Sequence, residues 1–168
     1  MDTAKQLMVS TVYKVEELLH RNRRTLAYRG RSRTTGEKVI IRTPAPGRGP
    51  ASLRRELEIL TLLGAEPRSI HPREADLEAA MAVVTPDPGG AVLEPLLVSG
   101  IGLDVALALA KSMVERIAEA HREGVVLKDV TPHNMLVDLS ERRVNLISYG
   151  IASRVAVERD SIKPTAGT

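Results

Sequence analysis

An aspartate and an asparagine stand five positions apart in the segment LKDVTPHN, residues 127–134, between short apolar runs. That spacing suits phosphoryl transfer. On one rigid loop, the Asp129 carboxylate can accept the proton of an attacking hydroxyl, while the Asn134 amide oxygen coordinates a metal bridging nucleotide phosphates. Each residue also has a plain structural use, since Asp129 can tie its loop to neighbouring amides and Asn134 can close a turn. Other chemistry is harder to assemble. The chain has no Cys, which removes disulfides, thiolate metal sites and thiol catalysis. Its four histidines, His20, His71, His121 and His133, share no spacing, so a metal centre is not expected, and His121 reads as a partly buried residue on an apolar helix face. Arg21, Arg23, Arg24, Arg29, Arg31 and Arg33 crowd one segment. Such a run can attract phosphate, nucleic acid or an acidic partner, or simply form a solvated hairpin face. Nucleic acid is the weakest of these, because no aromatic side chains interleave the charges.

The elements that must position these residues follow from period and punctuation. The 168 residues suit one domain, and 43% hydrophobic against 27% charged residues is a globular rather than a disordered balance. With three Tyr, no Phe and no Trp, the core has to be aliphatic. Val12 to Leu19, Thr25 to Arg31 and Val39 to Ile41 read as three antiparallel strands, with Thr34, Thr35 and Gly36 turning the second into the third. A Pro- and Gly-rich loop, Pro44 to Pro50, precedes a helix with Ser52 as N-cap, Leu53, Leu57 and Leu60 at helical spacing, and Gly64 at its end. Ala65 to Asp76 shows no period and reads as a loop, with at most one helical turn at Arg73 to Leu77. Met81 to Thr85 and Ala91 to Glu94 are expected to form a hairpin about Pro86 to Gly90. Leu103, Leu107, Val114, Ile117 and His121 then trace one face of a long helix that Gly124 terminates. Short apolar runs at Val125–Val126, Met135–Val137 and Val144–Ile147 are small strands laid against it, and residues 156–168 form a flexible tail.

In this setting LKDVTPHN resembles the catalytic loop of protein kinases, HRDxxxxN. VNLISYGIASR, residues 144–154, looks like the kinase stretch VKLIDFGIASR, and VIIR, residues 39–42, looks like the VAIK strand. Several motifs in order at kinase spacing make the likeness specific although each alone is weak. Within the superfamily it is most similar to the kinase domain at the N-terminus of very large bacterial ATPase and sensor histidine kinase proteins. The resemblance implies an α+β fold, with a five-stranded antiparallel N-lobe carrying one helix over residues 1–94, a truncated helical C-lobe over 95–155, and the tail. It implies Asp129 as catalytic base with Lys128 beside it, Asn134 as metal ligand, Arg42 as the nucleotide-positioning cation with Glu56 as its partner, and a nucleotide-holding hinge in Ala91 to Leu97 that includes Glu94 and Leu97.

The departures weaken that chemistry. Ser148 stands where kinases place the aspartate that anchors the principal magnesium, and a neutral hydroxyl does not replace a carboxylate. The loss is on the order of a thousandfold in rate or more. Arg42 keeps a charge but not the shape of lysine. His20, Asn22 and Thr25 replace the glycines of the phosphate-covering loop. A pseudokinase is therefore expected, with ATP and Mg2+ bound weakly or not at all; an active ATP-dependent serine/threonine kinase is the alternative. The C-lobe ends early at Thr168, leaving apolar helix surface that calls for a protein partner or self-association. No apolar stretch approaches the roughly 18 residues of a membrane span and no signal core opens the chain, which reads as cytoplasmic.

Overall fold

The computed structural model describes residues 12–64, 73–77 and 80–155; the expected tail and His71 lie outside them. Asn22 shapes the first turn. Its side-chain oxygen accepts the N–H groups of Arg24 and Thr25 at 2.8 Å each, reversing the chain between β1 (Tyr13–Arg21) and β2 (Thr25–Ser32). Gly36, at φ 73°, lets β2 pass into β3 (Lys38–Pro44). β4 (Arg73–Leu77) and β5 (Ala80–Pro86) complete an antiparallel sheet of order β1-β2-β3-β5-β4. The strand period sorts β3 into two faces. Val39 and Ile41 pack with Tyr13, Leu26, Tyr28, Ala82 and Val84, whereas Ile40 and Arg42 point the other way, toward the rest of the molecule.

Helix α1 (Ala51–Leu63) buries Leu53, Glu56 and Ile59. Leu57 and Leu60 are only partly buried, so the expected stripe is rotated, and a carboxylate occupies a core position because a cation meets it there. Ser52 does not cap this helix: Pro50 is the N-cap residue and no side chain bonds to the first turn.

Two strand assignments are corrected. Arg73 to Leu77 is the fifth strand of the sheet, where a loop or helical turn was expected; its residues pair with Ala80 to Val84 although their own pattern lacks an apolar period. The expected hairpin of Met81–Thr85 with Ala91–Glu94 does not form. β6 (Ala91–Val92) pairs instead with β8 (Met135–Asp138), which also pairs with β9 (Arg143–Leu146) in a separate three-stranded sheet. The chain then enters α2 (Leu93–Ser99), so the expected hinge segment is largely helical. The turn residues Asp87 to Gly90 join the two sheets instead of two strands of one.

The long helix α3 (Leu103–Arg122) is present, but the opposite stripe is buried. Val105, Leu109 and Met113 pack onto Leu93, Met135, Val137 and Val144, while Leu103, Leu107 and Val114 are 75%, 62% and 61% exposed and His121 is exposed. Both stripes satisfy a helical period, and contact with β9 selects between them. β7 (Val125–Val126) pairs with β10 (Ser153–Arg154), and a 3-10 turn (Pro132–Asn134) precedes β8. The result is an α+β fold with an antiparallel sheet and three α-helices among the described residues. None of those helices is long and apolar enough to cross a membrane.

Candidate functional site

Arg42 and Glu56 meet where the inner face of β3 touches α1. Arg42 Nε lies 3.0 Å from Glu56 Oε1, with the two side chains 3% and 1% exposed. The approach is an ion pair rather than a directed hydrogen bond, since neither Arg42 Nε nor Glu56 Oε2 has a hydrogen-bond partner among the described residues. Arg42 instead donates through Nη1 to the Ile147 carbonyl and through Nη2 to Thr85 Oγ1 at 3.4 Å, and Glu56 Oε1 accepts the Tyr149 N–H at 2.9 Å. Burial pushes the Glu56 carboxyl above its ordinary range, while Arg42 and the Tyr149 amide pull it back. The pair thus ties sheet and helix to the segment that contains Ser148. The Tyr149 phenol is pushed up to about 12 by burial and packs with Ile59, Ala120, Val125 and Ala152, a structural role.

The loop after β7 is organised by its own side chains. Thr131 Oγ1 donates to Asp129 Oδ1 at 3.1 Å, and Asn134 Nδ2 donates to Thr131 Oγ1 at 3.2 Å and to the Asp129 carbonyl at 3.3 Å. The Ile147 N–H donates to the Asn134 carbonyl at 3.0 Å, joining this loop to the strand that leads to Ser148. Asn134 is fully buried, and its Oδ1 has no hydrogen-bond partner among the described residues. Lys128, Asp129 and Ser148 line one open cleft of about 960 Å3 beneath the β1–β2 turn. Among the described residues no group of three or more His, Asp or Glu side chains is placed to hold a metal ion.

Glu94 and Leu97 do not join this cleft's lining. Both lie on exposed positions of α2, Glu94 in its first turn and Leu97 at 46% exposure, because the chain turns helical directly after β6. Ile40, Leu136 and Ile147, at 0%, 0% and 3% exposure, pack against one another with Leu19 and Val92 beside them, joining the two sheets with aliphatic side chains. A cavity of about 380 Å3 opens beside the ion pair between α1 and α3, and its lining runs from Ile40, Arg42 and Ile147 to Pro86 and Pro88.

One contact was not foreseeable from spacing. His20, near the end of β1, stacks on His133 of the 3-10 turn, with ring centroids 4.4 Å apart and planes 13° from parallel. Only the close approach of sheet and loop brings together residues so distant in the chain. Burial lowers the His20 pKa, the neighbouring His133 lowers it further, and Asp129 and Glu94 oppose both. Because the folded value lies below the unfolded one, protonation favours the unfolded chain, so stability is intact above about pH 6.5 and declines as pH falls below it. A His20→Gln variant should therefore lose less thermal stability than the parent between neutral and mildly acidic buffer; equal losses in differential scanning calorimetry would remove His20 as the cause.

The class of protein that the chain is similar to in sequence is the protein kinase, and the likeness is distant. No family model matches the chain. A Dictyostelium discoideum protein described as a probable serine/threonine-protein kinase is 23% identical over 143 residues, covering 83% of this chain and 23% of that protein. The chain spans less than a quarter of the length of that relative.

Proposed function

We propose that this chain is a protein kinase-like module that has lost catalysis and acts by binding a protein partner, with nucleotide bound weakly or not at all. The observation that carries the reading is Ser148, a neutral hydroxyl lining the cleft beside Lys128 and Asp129 where the kinase likeness calls for a metal-binding carboxylate. Asp129 and Asn134 would offer a divalent cation one carboxylate and one amide oxygen, a poor donor set for magnesium on a polyphosphate. This donor set does not fit a magnesium nucleotide. The exposed Leu103, Leu107 and Val114 on α3 supply the surface for a protein partner, of another chain or of a second copy.

The test is a thermal-shift titration with ATP and magnesium alongside a radiolabel autophosphorylation assay. We expect at most a small shift and no transfer. Transfer by the parent chain that is abolished in Asp129→Asn would overturn the reading.

A second reading, an active serine/threonine kinase using Asn134 and a single metal, is favoured by one observation: the Asn134 side-chain oxygen has no hydrogen-bond partner among the described residues. Ser148→Asp separates the two. Activity only in that variant marks a decayed enzyme, whereas activity already in the parent supports the second reading.

A further inference from the structure

The arginine-rich segment is divided by the fold in a way its sequence does not show. Arg29 and Arg31 are consumed by ion pairs: Arg29 with Asp87 at 2.6 Å and Glu17 at 3.1 Å, and Arg31 with Glu16 at 3.4 Å. Arg23 and Arg24, at the β1–β2 turn, point to the cleft instead. There they are joined by Arg48 from the loop before α1, Arg55 from α1 itself and Lys128 from the loop after β7. Five cationic side chains from separate stretches thus line a cleft of about 960 Å3 that contains one carboxylate, Asp129. None of the four arginines forms an ion pair among the described residues, and α1, whose first turn lines the cleft, has no acidic residue there to offset its partial positive charge.

We infer that this cleft is a binding site for a phosphate-rich anion and that it takes its ligand without a divalent cation. Like charges gathered around one concavity repel, and they raise the local concentration of counter-anions. Arginine guanidinium groups match phosphate oxygens two at a time, which a compact cation does not do. In this cleft they supply the neutralising charge. The ligand is recognised by adjacent phosphates rather than by a base, because five cationic side chains line the cleft and no Tyr lines it for stacking. An inorganic or organic polyphosphate fits this chemistry, and so does the phosphate end of a nucleotide. The inference goes beyond the proposed function, since it concerns binding alone and stands whether or not transfer occurs.

Isothermal titration calorimetry with sodium tripolyphosphate, in EDTA and low salt, tests it directly. We expect saturable binding that weakens steeply as salt is raised. Loss of charge-assisted bonds in the Arg23→Ala/Arg24→Ala double variant should weaken it by on the order of tenfold or more. A second double variant on other elements, Arg48→Ala/Arg55→Ala, should do the same, so that misfolding of one does not decide the matter, and thermal melts report folding of each. Arg31→Ala, outside the cleft, should bind as the parent does. ATP in EDTA should bind no more tightly than tripolyphosphate. Absence of binding in EDTA, a requirement for magnesium, unchanged affinity in both folded double variants, or tighter binding of a singly phosphorylated peptide would each overturn the assignment. Autophosphorylation is not read in this experiment, so a failure here and a failure of the proposed function remain separate results.

Discussion

Replacing Glu56 with alanine should lower the melting temperature by roughly 6–20 °C, because breaking a buried ion pair costs about 3–5 kcal/mol and each kcal/mol shifts a chain of this size by about 2–4 °C. The cost arises from the partner left behind. Arg42 would remain 3% exposed with only neutral acceptors, and the Tyr149 N–H would lose its acceptor as well. The double variant Arg42→Met/Glu56→Leu should recover most of the loss, since an apolar pair of similar volume needs no compensation. Calorimetric or circular dichroism melts measure both. A Glu56→Ala variant melting within about 2 °C of the parent would mean that Arg42 finds solvent, and that the two residues do not clamp β3 to α1.

The Gly90→Ala variant should lose about 2–5 kcal/mol, combining a left-handed backbone penalty of about 1–2 with an overpacking cost of about 1–3. Gly90 has φ 82°, and a Cβ there would sit 2.6 Å from the Val137 carbonyl carbon, closer still to its oxygen, and 3.0 Å from the Asp138 nitrogen. These are backbone atoms of β8, so the clash is relieved only by moving β6 away from its pairing partner. Arg29 Nη2, which donates to the Gly90 carbonyl at 2.9 Å, holds the turn from the other side. Gly89→Ala is the matched control. Gly89 has φ 79° but nothing within 4 Å of the added carbon, so only the backbone penalty of about 1–2 kcal/mol applies. Urea denaturation of the two variants should show a clear gap, and equal losses would show that the turn relaxes freely.

Much of this architecture was legible because it is encoded locally. The strand pattern of Thr25 to Arg31, the turn at Gly36 and the helical periods before Gly64 and Gly124 each depend on residues close in sequence, and each element formed. The Arg42–Glu56 pairing was legible for a different reason, by likeness to a known motif order, and the fold places the two in contact. The spacing of Asp129 and Asn134 likewise placed them on one organised loop.

What failed to be legible had no local signal. Arg73 to Leu77 carries two acidic residues and one arginine in five positions, and becomes a strand because β5 offers an edge to pair with. Ala91–Val92 chose β8 over β5, a competition between two distant partners that no turn residue reports. His20 and His133 looked unrelated, and two of six crowded arginines were expected to differ from the others no more than their positions did.

The sequence alone determined the elements that carry a clear local period, and which residue types could do chemistry, because period and turn preferences act over a few bonds. Only the tertiary structure decided which apolar stripe of α3 is covered, which arginines are neutralised and that Ile40, Leu136 and Ile147 come together between the two sheets. Burial and charge pairing are properties of the surfaces that meet, and the surfaces that meet here come from opposite ends of the chain.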